Sequence, residues 1–199
     1  NSKYPINMKN IIIISAPSGS GKTTICRELQ KRNETIHFSV SCTTREQRNG
    51  EVDGVDYTFL TNEAFKKGIE NNEFVEWEQI HGDYYYGTLK TTIEAAIKGE
   101  DYLLLELDVK GAIVLQKLYP NKTISIFIEP PSLGDLRTRL VNRGTDSEER
   151  ITKRLERLSA ELEYKSNFTH HIINDDVGCA VNEIMNILQH ENEEVYYGS

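Results

Sequence analysis

The sequence contains no apolar stretch long enough to cross a bilayer. Its longest runs are Ile11–Ile14 and Tyr102–Leu105, far short of the roughly 20 residues a spanning helix needs. A membrane is therefore not among the expected partners. Cysteine is scarce. Cys26, Cys42 and Cys179 are odd in number, and no two form C-x-x-C. That argues against a disulfide scaffold or a zinc ribbon and points to a reducing, cytoplasmic setting. Cys26 falls on an apolar helix face and reads as a core residue. No basic segment leading into an apolar one opens the chain, so no secretory signal is expected. Residues Asn1–Met8 read as a ragged start. Internal repeats and low-complexity linkers are missing too. Nor is there an excess of positive charge: the net charge is −8, which argues against a surface that coats nucleic acid.

The cations that are present are unevenly placed. Six of the ten arginines (Arg137, Arg139, Arg143, Arg150, Arg154 and Arg157) lie in one short span. In an acidic chain such a cluster suits a small anion. A solvated helix laced with i,i+4 ion pairs is the plainer alternative.

Strand-like and helix-like patterns alternate along most of the 199 residues. Ile11–Ser15 is a continuously apolar strand of the kind buried on both faces of a parallel sheet, and Lys22–Arg32 follows as a helix. Tyr102–Leu107, Thr123–Ile128 and His171–Asn174 read as further strands. Val109–Leu118, Ser132–Asn142, Ser147–Ser166 and Cys179–His190 read as helices, with Asp146 and Glu149 placed as a capping box for the third. Repeated strand–helix units predict a doubly wound α/β sheet. One segment, about Ser41–Gly87, breaks the pattern. It is polar, glycine-rich and aromatic, with strand-like pieces at Tyr57–Leu60 and Phe74–Trp77 and a helix near Glu63–Ile69. This reads as a β-rich insertion, and about Leu133–Leu158, where the arginines gather, reads as a second one.

The turn after the first strand carries chemistry. APSGSGKT, Ala16–Thr23, fits the phosphate-loop pattern G-x-x-x-x-G-K-[ST] with Ala16 in place of the first glycine. Gly19 and Gly21 let successive N–H groups curl around one anion. The helix beginning near Lys22 adds its positive end. Lys22 can bridge β- and γ-phosphates, and the Thr23 hydroxyl can ligate Mg²⁺. A glycine-rich turn with an incidental lysine is the bland reading, and the strand before and helix after it argue against that. The motif alone does not separate GTPase, ATPase and kinase. The guanine-reading N-K-x-D of GTPases is absent, since Asn121-Lys122 runs on into Thr-Ile.

A second anion site is suggested at SCTTREQRNGEVDGVDY, Ser41–Tyr57. Arg45 and Arg48 can form a fork for a dianion, and Tyr57 can add a neutral donor. Downstream, NEFVEWEQIHGDYYYGT (Asn72–Thr88) sets Glu76 close to Trp77 and Tyr84–Tyr86.

Together the motifs S-x-T-T-R-x-x-R-x-G-E-x-x-G-x-x-Y, E-F-V-E-W, Y-Y-G-T and R-G-T-D-S-E-E, with the phosphate loop, resemble guanylate kinase from about Asn10 to Leu188. The resemblance implies a P-loop NTPase-type parallel sheet core with helices on both faces, a small β-rich nucleotide-monophosphate-binding insertion, and a helical lid. It divides the chain into core (9–40, 93–132, 159–190), GMP-binding insertion (41–92), lid (133–158) and flexible termini (1–8, 191–199). It implies that Ser18, Gly19, Ser20, Gly21, Lys22, Thr23 and Thr24 bind ATP and that Asn174 lies near its adenine. Ser41, Arg45, Arg48 and Tyr57 would line the GMP site, with Glu76, Ser41 and Asp108 reading the base. Tyr86 would contact the phosphate, and Thr88 would lie close to the guanine. Arg139, Arg143 and Arg154 match lid and donor-site arginines acting with Lys22 in catalysis. Mg²⁺ would meet Thr23 directly and Glu106 through water. The sequence departs from the family at Ala16, at Gln47, where proline is common, and at Asp83–Tyr86, one residue longer than usual. That extra residue leaves the choice between Tyr85 and Tyr86 open.

The reaction so implied moves the γ-phosphoryl group of ATP to GMP, and to dGMP, in a cytoplasmic monomer or weak homodimer. The acceptor is a phosphate oxygen that is already anionic, so no general base is needed and the histidines are read as structural. The alternative is a guanylate-kinase-like module that has lost catalysis and binds proteins. The intact Lys22, Thr23, Arg45 and Arg48 speak against it.

Overall fold

The structure is a computed structural model that describes residues 8–17, 20–80, 84–132, 134, 137, 138, 141, 152, 156 and 160–197. Ile11–Ile14 form β1 (Ile11–Ser15) at its centre, each with zero exposure. Side chains alternate along a strand, so this one run serves two cores. Ile12 and Ile14 pack with Ile25 and Leu29 of α1 (Lys22–Arg32) and with Val181 and Ile184 of α5 (Val177–Tyr197). Ile11 and Ile13 face the other way. They pack with Ile93 of α3 (Lys90–Lys98) and with Ala112 and Leu115 of α4 (Val109–Leu118).

The sheet closes around β1. Its strands are β2 (Ile36–Phe38), β7 (Tyr102–Glu106), β8 (Thr123–Glu129) and β9 (His170–Ile173), in the order β2-β7-β1-β8-β9. Every pairing is parallel, with Ile11 level with both Leu103 and Thr123. The carboxyl ends of β1, β7 and β8 therefore lie side by side, the position at which open α/β sheets bind ligands.

A second sheet fills the segment read as an insertion. It comprises β3 (Cys42–Thr43), β4 (Thr58–Phe59), β5 (Phe74–Ile80) and β6 (Tyr84–Leu89), in the order β4-β3-β6-β5. Its own small core joins Cys42, Phe74 and Phe65, the last from α2 (Asn62–Glu70). Thr61 caps α2 by accepting the Ala64 N–H at 3.1 Å. Phe65 stacks on Phe74 with ring centroids 4.2 Å apart.

Several boundaries differ from the sequence reading. α5 runs to Tyr197 rather than to His190. Glu191 is held by Lys9 at 2.6 Å and by His170 at 2.7 Å, and Asn192 donates to Tyr102 at 2.9 Å. Met8 is buried. The helix expected to reach Ser166 instead gives way to a turn at Glu163–Tyr164 and a 3₁₀ turn at Lys165–Asn167. β2, β3, β6 and α3 were not anticipated. The first two are only three and two residues long, too short for a periodicity to register. Asp146 and Glu149 lie outside the described residues.

Candidate active site

Gly21 takes φ +87 as the cap of α1, a conformation that glycine adopts without strain. From there Lys22 and Thr23 begin the helix at the carboxyl end of β1. β7 runs beside that end, with Ile14 level with Glu106. The register brings the Glu106 carboxylate to the loop. Thr23 Oγ1 donates to it at 3.0 Å, and Lys22 Nζ lies 3.6 Å from Glu106 Oε1. Ser20 is buried, with its N–H donating to Pro17 O, and Thr24 is exposed on the first helical turn. Ser18 and Gly19 lie outside the described residues.

A cleft of about 780 Å³ opens beside Thr23 and Glu106. Ser41, Tyr57, Glu76 and Tyr86 of the insertion also line it, with Asp108 beyond the end of β7. The loop side and the insertion side thus share one space. Tyr85 and Tyr86 point opposite ways, as neighbours on a strand must. Tyr85 stacks on Phe65 at 5.3 Å, inside the insertion's core, while Tyr86 lines the cleft and meets Tyr57 edge-on at 6.0 Å.

Glu76 is the most perturbed acid in this cleft. Burial pushes its carboxyl up to about 7, against a Thr88 hydrogen bond that lowers it, and Asp108 and Glu78 raise it further. Thr88 Oγ1 donates to Glu76 Oε1 at 2.6 Å across the β5–β6 pairing. Thr88 itself is 1% exposed and is not among the residues lining the cleft. Asp108 does double service. Its Oδ1 accepts the Gly111 N–H at 2.8 Å and caps α4, while the residue also lines the cleft.

Arg45 and Arg48 share one acid. Glu51 lies between them. Arg45 Nη2 donates to Glu51 Oε1 at 2.7 Å, and the Arg48 N–H donates to Glu51 Oε2 at 2.8 Å. Arg45 also donates to Glu46 O at 2.6 Å, and its guanidinium carbon sits 5.4 Å over the Tyr57 ring. Arg48 is exposed. Glu51, with a smaller contribution from Tyr86, holds the Arg45 guanidinium above its ordinary value against the opposing effect of burial. Burial likewise raises the Tyr57 phenol above its ordinary value, and it is a neutral donor at neutral pH.

Asn174 follows β9 and is buried. Its Nδ2 donates to Ser20 O at 2.7 Å, so it lies against the phosphate loop. Arg139, Arg143 and Arg154 lie outside the described residues. His37, His170 and His171 have partners of their own in Asp101, Glu191 and Lys165 O, and none lines the cleft. Burial pushes the Cys26 thiol up to about 12, as befits a core residue.

A family model described as guanylate kinase matches residues 8–191. The chain belongs to the guanylate kinase family. It is 44% identical to a guanylate kinase of Carboxydothermus hydrogenoformans over 181 residues, 91% of this chain and 88% of that protein. It is also 44% identical to one of Porphyromonas gingivalis, covering 89% and 95% of the two chains. The crystal structure of guanylate kinase from Anaplasma phagocytophilum superposes with a TM-score of 0.74 at 31% identity, over 93% of this chain and 87% of that one.

Two features of this guanylate kinase site escaped the sequence reading. Glu51 was in view, as the E of the R-x-G-E motif, but nothing local says that both its oxygens serve the two arginines. Gly111 gave no signal at all. A Cβ there would come within 2.9 Å of both Asp108 Oδ1 and Glu76 Oε2. Only a bare backbone lets the Asp108 and Glu76 carboxylates share this corner. Gly111→Ala is therefore expected to displace Glu76 and raise the KM for GMP about tenfold, the cost of a clash of 1–3 kcal/mol. The KM for ATP stays within twofold. Steady-state kinetics with each substrate varied in turn would check this, and an unchanged GMP KM would count against it.

Proposed function

We propose that the cleft seats GMP with its base against Glu76 and Asp108 and its phosphate toward Arg45, Arg48, Tyr57 and Tyr86, with Ser41 beside it. As a guanylate kinase the protein converts ATP and GMP to ADP and GDP. The donor's phosphates lie in the loop Ala16–Thr23, with Ser18, Gly19, Ser20, Gly21, Lys22, Thr23 and Thr24 around them and Asn174 on the same side. The observation that carries this reading is the shared cleft, with Thr23 and Glu106 on one side and Glu76 and Tyr57 on the other.

Glu76 supports the choice of base. Guanine presents N1–H and an exocyclic amine along one edge, and a carboxylate accepts from both. Adenine presents a lone pair at N1. It would leave a desolvated charge unpaired, which costs several kcal/mol. Thr88 orients Glu76 for this, and Gly111 makes room.

The acceptor oxygen is anionic before reaction, so the residues act by alignment and by countering charge on the moving phosphoryl group. Lys22 and the loop N–H groups do so from the donor side. Arg139, Arg143 and Arg154 are assigned to the lid, segment 133–158, which closes over the reactants to exclude water. Thr23 and Glu106 offer two hard oxygen donors beside the loop. That suits Mg²⁺, which is held by one or two protein oxygens together with substrate phosphates. When bound, it would neutralise charge on the β- and γ-phosphates.

The free cysteines and the acidic surface support a cytoplasmic enzyme without a nucleic-acid partner. Among the described residues no helix is long and apolar enough to cross a membrane. A monomer or weak homodimer suffices, because both walls of the cleft come from one chain.

A nucleotide panel tests the reading. With ATP as donor, GMP and dGMP should be turned over, and AMP, UMP and CMP should react at least 10²-fold more slowly. Comparable turnover of AMP would refute the role given to Glu76.

A further inference from the structure

The loop's hold on the sheet offers an observation that substrate recognition does not use. Asn174 is 3% exposed and Ser20 1%, and the bond between Asn174 Nδ2 and Ser20 O joins them at 2.7 Å. The partner is a carbonyl, which only accepts, so the Asn174 amide must present its NH₂ there. Its Oδ1 is buried with no hydrogen-bond partner among the described residues. The anchor behind it is firm. The Asn174 N–H donates to Glu129 O at 2.8 Å, at the carboxyl end of β8, and the Glu129 carboxylate is held by Lys165 at 2.9 Å. Directly against the amide, Gly21 turns through φ +87, and a Cβ on Gly21 would overlap Asn174 Nδ2. The glycine and the asparagine are packed as one unit.

We propose that Asn174 is a positioning residue for the phosphate loop, acting on the Ser20–Gly21 peptide and not on the adenine. The peptide group is planar and trans, so its C=O and N–H point in opposite directions. Fixing Ser20 O against Asn174 turns the Gly21 N–H away from β9. That is the orientation in which a backbone donor can join an anion cradle at a helix start. Without the amide, the peptide is free to rotate, and the glycine's permissive backbone does not oppose it. The inference rests on the loop being the donor site.

Calorimetric titration of the protein with three ligands tests it: ATP, inorganic tripolyphosphate (each with MgCl₂), and GMP. Tripolyphosphate has the phosphates and no base. In Asn174→Ala the Kd for ATP and for tripolyphosphate should each rise about tenfold, the worth of one buried hydrogen bond to a carbonyl that is left unpaired. The GMP Kd should stay within twofold. Asn174→Asp keeps the shape but sets an acceptor against Ser20 O, and should lose at least as much. It carries the same comparison if the alanine variant does not fold. A tripolyphosphate Kd within twofold of the parent, with ATP alone weakened, would overturn the proposal in favour of an adenine contact. Equal weakening of GMP would overturn it in favour of general loosening. If the parent protein bound no tripolyphosphate, the donor-site reading would fail first, a result distinct from either.

Discussion

Glu76→Gln should lower kcat/KM for GMP about 10³-fold, short of the roughly 10⁴–10⁵ by which a hydrogen-bonding site rejects a substrate with no matching group, because the amide keeps one acceptor. The amide can accept from one guanine donor but sets its NH₂ against the other. Most of the loss should fall on KM, and the KM for ATP should hold within twofold. The same substitution should make the protein more stable. In the folded chain the Glu76 carboxyl titrates near 7, against an ordinary value of 4.5. The folded state therefore keeps a proton that the unfolded state releases between those values. The proton's contribution is lost as pH rises through that window, and above it the full cost of a buried charge is present. That cost is on the order of 3 kcal/mol at pH 8. Urea unfolding at pH 8 should show Glu76→Gln gaining up to that amount, and at pH 4 the gain should shrink toward zero. The parent enzyme should bind guanosine, which lacks the titrating phosphate, about tenfold more weakly for each pH unit below 7. A variant that loses GMP turnover without gaining stability would mean that the folded chain does not hold the Glu76 carboxyl above its ordinary value, and one that keeps GMP turnover would mean that something else reads the base.

Arg143→Ala and Arg154→Ala should each cut kcat by about 10³–10⁵, the range known for an arginine that meets the transferring phosphoryl group. The loss belongs in kcat because the charge such a group counters develops only as the phosphoryl moves. Binding of ATP and GMP, measured separately, should change less than tenfold. Arg45→Ala offers a contrast. Arg45 is already engaged by Glu51 and Glu46 O, so its removal should act chiefly on the GMP KM. If both lid variants kept near-normal turnover in a coupled ADP-release assay, the arginine cluster of segment 133–158 would revert to a solvated ion-pair face.

The parts of the fold legible in the sequence were those carried by contiguous residues. Ile11–Ser15, Lys22–Arg32 and Val109–Leu118 have the bounds their apolar patterns imply. A buried parallel strand is a solid apolar run, and a helix repeats on one face. The phosphate loop was legible for the same reason, since its chemistry is written in eight adjacent residues. What stayed hidden are relations between distant segments. Thr88 finds Glu76 only through the β5–β6 register, and Asp108 and Glu76 share a corner only because Gly111 lacks a side chain. Asn174 reaches Ser20 across 154 positions of chain. Glu51 was visible in its motif but carried no sign of its duty, because an exposed-looking Glu in a loop is common. Family resemblance supplied residue names for the site. The partners that hold those residues in place came from geometry.

The register of β1 also bears on how the chain is made. Ile11 pairs with Leu103 on one side and Thr123 on the other, so neither neighbour exists until half of these 199 residues have been synthesised. While the ribosome is still at work, four consecutive isoleucines wait without their strands, a segment of high β-propensity and no charge that is prone to self-association. The residues that become the most deeply buried are thus the longest exposed on the way there. Early binding by a chaperone near residues 11–14 would shield the nascent chain at its most vulnerable stretch.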